Sequence, residues 1–247
     1  MSDDLIFGIR PLIEAVKSGK EIDKVLLKKG LGGDLFKEVF DLIREHSIPF
    51  QFVPIEKLNR ITRKNHQGVI AFILPVTLYD IENYLPQLFE KGLNPLLLVL
   101  DEVTDVRNFG AIVRTAECAG FHAVIIPEKG SARISADAVK TSAGALHFVP
   151  VCRSSDLKKT LSYLQLSGIK LIAASEKSSE NYTQVDYSNP VAIIMGSEEK
   201  GINPALLSIA DEKVSIPVLG QVQSLNVSVA AGLLAYEAVR QRVAIKS

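Results

Sequence analysis

"PLLLVLDEVTDVRNFGAIVRTAECAGFHAVIIPE", residues 95–128, reads as strand, helix, strand. Its two outer runs are short and continuously apolar, the pattern of strands buried on both faces. Between them Phe109, Ile112, Val113 and Ala116 recur at helical spacing. Asp101 follows the first strand, and Asn108 is a residue type that caps a helix start. The pattern continues downstream. Further strand candidates are FVPVCR (148–153), IKLIAAS (169–175), PVAIIMG (190–196) and KVSIPV (213–218), with helical segments between most of them. Strands alternating with helices predict an α/β domain over 95–247, with a mostly parallel sheet covered on both faces.

Working outward, residues 1–76 form a second, smaller α/β series. IRPLIEAVKSG has Pro11 near a helix start and Gly19 near its stop. IDKVLLKK reads as a strand, and GDLFKEVFDLIREHS carries Leu35, Val39, Leu42 and Ile43 at helical spacing. IPFQFVP and GVIAFILP are strands closed by proline. Residues 77–94 are more polar and predict a linker with a short amphipathic helix.

Composition bounds the function. With 247 residues, 47% hydrophobic and 23% charged, the chain is long enough for two globular domains. No run approaches the ~18 to 20 apolar residues of a membrane span, and the acidic start lacks a signal-peptide pattern. A cytoplasmic protein with no membrane partner is expected. Its two cysteines, Cys118 and Cys152, lack a CxxC context, and its four histidines lack metal-ligand spacing, so no metal is expected. Net charge is zero, which by itself disfavours a nucleic-acid partner. Locally, NRITRKNHQG (59–68) gathers Arg60, Arg63, Lys64 and His66; on charge alone this is a solvated loop.

Three stretches carry chemistry. In the first, at 101–120, Asn108 alone is a helix cap and Arg114 alone a surface charge. The two stand roughly 9 Å apart along the axis at ~1.5 Å per residue. Strand C-terminal ends are, however, where open α/β sheets bind ligands. The second, IIMGSEEKGINP (194–204), begins like a phosphate loop but lacks its Lys and Ser/Thr, and Glu198 and Glu199 repel phosphate. It is a glycine turn in which Gly196 permits close backbone approach to something flat or bulky, followed by Asn203-Pro204 at a helix start. The third, VQSLNVSVAAGLLAYE (222–237), sets Ser224, Asn226 and Ser228 before a helix that is apolar nearly all round. Such a helix belongs in a core or an oligomer interface, and Gly232 within it suggests close packing. One of the three polar residues caps the helix; the others need another partner. KKGLGGD (28–34) has Leu35 where a dinucleotide fingerprint needs its third glycine, so it is a turn.

Together NFGAIVRTA (108–116), IIMGSEEKGI (194–202) and IPVLGQVQSLNVSVAAG (216–232) resemble the SpoU (TrmH) family of RNA 2′-O-ribose methyltransferases in the SPOUT superfamily. KTSAGALHFVPV (140–151) supports the likeness. IFGIRPLIEAV and HQGVIAFILP resemble the ribosomal-protein-like RNA-binding domain of the bacterial 23S rRNA guanosine-2′-O-methyltransferase subgroup. Val106 departs from the Asp-Pro step of many members, which bears on local loop geometry.

The resemblance implies a C-terminal trefoil knot, S-adenosylmethionine as cofactor, and a homodimer with the active site at its interface. It implies a catalytic set at Asn108, Arg114, Glu198, Ser224 and Asn226, and cofactor contacts at the loops of Gly196, Ile216 and Leu225. It implies RNA contacts at Arg63, Lys64, His66 and Gln67, and a guanosine of 23S rRNA as substrate. Transfer RNA as substrate and a catalytically silent RNA-binding protein are the alternatives. A base methyltransferase is disfavoured by SLNVSVA.

Overall fold

A computed structural model of the chain describes residues 5–244. Its contacts divide into two compact units, the first made of the chain up to Thr77 together with Ile134–Ala136.

In the first unit, β1 (Leu5–Phe7), β2 (Ile22–Lys28), β3 (Phe50–Val53) and β4 (Val69–Ile73) form a sheet of order β1-β4-β2-β3. β4 runs antiparallel to β1 and β2, and β3 parallel to β2. Helices α1 (Ile9–Lys17) and α2 (Asp34–Glu45) cover one face, burying Leu12, Val16, Val39 and Ile43 against Val25, Leu27 and Val69. Helix α3 (Ile55–Ile61) closes the other through Leu58, which packs with Leu26, Ile70 and Phe72. The alternation along β2 assigns Val25 and Leu27 to one core and Leu26 to the other.

The second unit is built on seven parallel strands in the order β11-β9-β10-β6-β7-β8-β5. They are β5 (Leu78–Tyr79), β6 (Leu96–Leu100), β7 (Ala123–Pro127), β8 (Val151–Ser154), β9 (Lys170–Ala174), β10 (Val191–Met195) and β11 (Glu212–Val214). One face packs on α4 (Ile81–Glu90), α7 (Leu157–Leu166) and α8 (Pro204–Leu207). On the other, α5 (Val106–Cys118) packs on α9 (Val227–Ala244), and α9 meets β10. A short α6 (Ala136–Thr141) approaches α5 at Gly110, where a Cβ would lie 2.1 Å from Thr141 Oγ1.

Of residues 77–94, expected as a linker, all but Thr77 are instead part of this unit. β5 pairs with β8, and the amphipathic helix α4 buries Ile81, Leu85 and Leu88 in the large core. Its Asp80 cap accepts from Glu82 N. The strand expected over 213–218 ends at Val214; beyond it the chain runs as a loop to Asn226. Among the described residues no helix is long and apolar enough to cross a membrane, and no cluster of three metal-ligating side chains forms.

The cysteines differ sharply. Cys118 is exposed, whereas Cys152 is buried in β8, where burial and the charge of Asp80 push its thiol up to about 12. A thiolate is the reactive form. Ellman's reagent at pH 8 is therefore expected to titrate one thiol in the native protein and two in denaturant.

Candidate active site

The site lies where β6 and β10 stand side by side and the chain continues to opposite sides of the sheet, the switch point at which open α/β sheets hold ligands. Asp101 follows β6 and Gly196 follows β10. Asp101 is buried, which raises its carboxyl above the usual range; its Oδ2 accepts from Asn203 N at 2.7 Å. This ties the turn after β10 to the end of β6. As the sequence suggested, Asn203 caps α8, accepting from Ala205 N, with Pro204 in the first turn.

The bulky group that approaches Gly196 is the chain itself. A Cβ there would lie 2.1 Å from Gly201 C and 2.2 Å from Ile202 N. The turn folds back through Ser197 and Gly201, which exchange backbone hydrogen bonds of 3.2 and 2.9 Å. Gly201 takes φ 68°, in the left-handed region that glycine occupies at no steric cost. This turn aims Glu198.

Glu198 Oε1 gathers three donors. Asn108 Nδ2 donates at 3.2 Å, Val227 N at 3.1 Å, and Asn226 Nδ2 also donates to it. Asn226 Nδ2 also lies 3.1 Å from Asn108 Oδ1. Two amides and a helix-start N–H thus hold one carboxylate oxygen. Among the described residues the other oxygen accepts no hydrogen bond. Glu198 borders a cleft of about 230 Å³ that Asn108, Glu102 and Val227 also line.

Asn108 does not cap its helix. Asp105 does, accepting from Arg107 N at 2.9 Å and Asn108 N at 2.8 Å. The nearer acid occupies the cap, and the Asn108 amide is released toward Glu198. An acid just before the first helical residue was the available signal. The cap also fixes the turn at Val106 without proline. Asn226 does two jobs: its Oδ1 accepts from Ser228 N at 3.0 Å at the start of α9, while its amide holds Glu198. Ser228 is spent on Asn226 and lines neither cavity.

Gly196, Glu198, Ile216, Ser224 and Leu225 line one cavity of about 360 Å³ across the ends of β9, β10 and β11. Its wall mixes apolar side chains, Ile216, Val218 and Leu225 among them, with backbone. Among the described residues the backbone of 216–225 enters no hydrogen bond. Those groups are open to a ligand.

Arg114 stands apart. It is exposed on α5, lines neither cavity, and makes no hydrogen bond or ion pair among the described residues.

In the first unit, Arg63, Lys64 and Gln67 are exposed, and Lys64 Nζ sits 5.0 Å from the centre of the Phe7 ring. His66, expected to face RNA, is instead 7% exposed. Its Nδ1 accepts from Gly68 N at 3.0 Å, so Nε2–H donates to Asn59 Oδ1 at 2.9 Å. Both ring nitrogens are spent in fixing the turn into β4.

A model of the SpoU rRNA Methylase family matches residues 95–236, and one described as RNA 2′-O ribose methyltransferase substrate binding matches residues 5–78. A protein of Bacillus subtilis (strain 168), placed by name in the TrmH family of tRNA/rRNA methyltransferases, is 32% identical over 239 residues, covering 97% of this chain and 96% of its own. The fold is similar to that of the SpoU methyltransferase AviRb from Streptomyces viridochromogenes, crystallised with AdoMet, at TM-score 0.62 and 24% identity over 97% of this chain and 90% of that one. A TrmH/SpoU tRNA modifying enzyme of A. aeolicus aligns at TM-score 0.57 and 32% identity over 67% of this chain and 86% of its own.

Proposed function

This chain belongs to the SpoU rRNA methylase family of RNA 2′-O-ribose methyltransferases, and on that premise we propose that it acts on a guanosine ribose of 23S ribosomal RNA. The observation that carries the reading is the Asn108–Glu198–Asn226 cluster beside the cavity at the end of β10. The cofactor is S-adenosylmethionine, whose sulfonium supplies an electrophilic methyl group. The residues fit it: the cavity is within the size range of small-molecule sites, apolar for a flat base and open at its backbone. Gly196, Ile216 and Leu225 hold the cofactor, and Ser224 hydrogen-bonds beside it.

A ribose hydroxyl is a poor nucleophile while protonated. Arg114 grips a neighbouring phosphate and stabilises the alkoxide as it forms; its guanidinium stays protonated and is no base. A phosphate oxygen or water takes the proton. Asn108 and Asn226 fix Glu198, and the open Glu198 oxygen orients the hydroxyl or its attendant cation. Arg63, Lys64 and Gln67 contact RNA from the first unit.

The working form is a homodimer in the cytoplasm. Helix α9 buries Ala231, Leu234 and Ala238, yet Val229 (52%), Leu233 (39%), Tyr236 (52%) and Val243 (61%) form an exposed apolar stripe on the opposite face. Gly232 supports this. Helical glycine costs roughly 1 kcal/mol relative to alanine, but the nearest obstacle to a Cβ there is Thr115 Cγ2 at an ordinary 3.8 Å. The packing expected at Gly232 is not required within the chain and is assigned to a second copy. Tyr236→Glu is expected to turn a dimer into a folded monomer in sedimentation, with methyl transfer lost.

The second reading is transfer RNA, which the names of relatives include. The substrate-binding match over residues 5–78 favours ribosomal RNA, since the A. aeolicus tRNA enzyme aligns with only 67% of this chain. Labelled cofactor incubated with fractionated RNA from a strain lacking the gene tests the choice. Label is expected in the 23S fraction; label confined to transfer RNA overturns that substrate.

A further inference from the structure

We propose that the Glu176 carboxylate binds the ribose diol of S-adenosylmethionine at the end of β9. The inference rests on the reading of the 360 Å³ cavity as the cofactor site. Glu176 and Lys177 form a turn just beyond β9, and both line that cavity. The turn is anchored: Ser175 N donates to Val214 O at 2.8 Å, Ser178 N to Ser175 O at 3.0 Å, and Ser178 Oγ to Lys213 O at 2.6 Å. A short, tied turn presents its side chains with little loss of freedom on binding.

The other acids and Lys200 of the cavity wall are either partnered or shared with the cleft at Asn108. Glu198 is held by three donors, and Lys200 pairs with Glu102 at 2.9 Å. Glu199 lines this cavity too, but it also borders the cleft shared with Asn108, which puts it on the reacting side. Glu176 is exposed and makes no hydrogen bond or ion pair among the described residues.

The chemistry of the ligand selects the contact. Methyl transfer requires the sulfonium methyl to face the Glu198–Asn226 side. The adenine is apolar on its faces and suits the wall of Ile216, Val218 and Leu225. The ribose joins these two parts, and its vicinal hydroxyls are two O–H donors that need acceptors. A carboxylate supplies two acceptor oxygens; the Lys177 ammonium supplies none. An acid placed beyond a strand end to take ribose hydroxyls is a general device of parallel nucleotide-binding sheets.

Calorimetric titration of the intact protein tests this with three probes: S-adenosylhomocysteine, its 2′,3′-dideoxy analogue, and 5′-methylthioadenosine, which lacks the amino-acid end. Glu176→Ala is expected to bind S-adenosylhomocysteine and methylthioadenosine alike roughly 10- to 100-fold more weakly, as for a lost charge-assisted hydrogen bond. The dideoxy analogue is expected to bind variant and wild type equally. In turnover the cofactor KM should rise by the same factor with kcat at saturation within about twofold, the pattern of lost uniform binding. Equal loss for the dideoxy analogue, loss for S-adenosylhomocysteine but not methylthioadenosine, or no loss at all overturns the assignment. Failure of the wild type to bind S-adenosylhomocysteine overturns the cofactor reading itself.

Discussion

Arg114→Ala is expected to lower methyl transfer by about 100- to 1000-fold, the range seen when one donor to a developing oxyanion is removed. Its S-adenosylmethionine affinity should stay within about twofold of wild type, because Arg114 lines neither cavity. Its stability should also hold. The side chain is exposed and unpaired among the described residues, and such surface changes stay within roughly 0.5 kcal/mol. A fall in rate therefore reports chemistry rather than unfolding. Arg114→Lys is expected to recover only part of the rate, since an ammonium keeps the charge but not the planar fork that matches a phosphate. The variants separate the two contributions: charge alone predicts near-complete recovery by lysine. Single-turnover assays with saturating cofactor make the comparison, and full methylation by Arg114→Ala would sink the catalytic scheme.

Gly196→Ala is the second large effect, and its cause is steric. The new Cβ would sit 2.1 to 2.3 Å from backbone atoms of Gly201 and Ile202. Backbone cannot swing aside as a flexible side chain does, so the turn over 197–201 must open. Overpacking of this kind costs typically 1–3 kcal/mol, which lowers Tm. The larger consequence is local. Opening the turn breaks the Ser197–Gly201 exchange and withdraws Glu198 from Asn108, Asn226 and Val227. Methyl transfer should fall by at least about 100-fold, since an error near 1 Å in a positioned group costs that much, and cofactor affinity should fall with it because the turn lines the cavity. Calorimetry reads the affinity and a thermal melt the stability. Native affinity in a folded Gly196→Ala protein would show that the turn does not shape the cavity.

Periodicity carried most of the larger sheet. The apolar runs at 95–103, 122–128, 169–175 and 190–196 each contain the observed strand, because buried parallel strands are continuous apolar runs. The Asn203-Pro204 helix start was legible for a similar reason: its signal is local. What one-dimensional spacing hides is partnership. The bond from Asn108 to Glu198 spans 90 residues, and that from Asn226 to Asn108 spans 118. Capping logic assigned Asn108 to its own helix, whereas Asp105, three residues earlier, takes the cap. The same blindness placed His66 on the surface, since a loop sequence does not reveal that both ring nitrogens close on Asn59 and Gly68. Tyr79 and Leu78 gave no strand signal because two residues are too few for a period; β5 exists through its pairing with β8. Helix α9 was apolar all round, and the structure divides that surface into a buried side and an exposed stripe.

The most direct test of the account is the identity of the methylated nucleoside. Protein, labelled S-adenosylmethionine and 23S RNA from a strain lacking the gene are incubated, and the RNA is digested to nucleosides. The account predicts that all label elutes as 2′-O-methylguanosine. Label on a base-methylated nucleoside would contradict it.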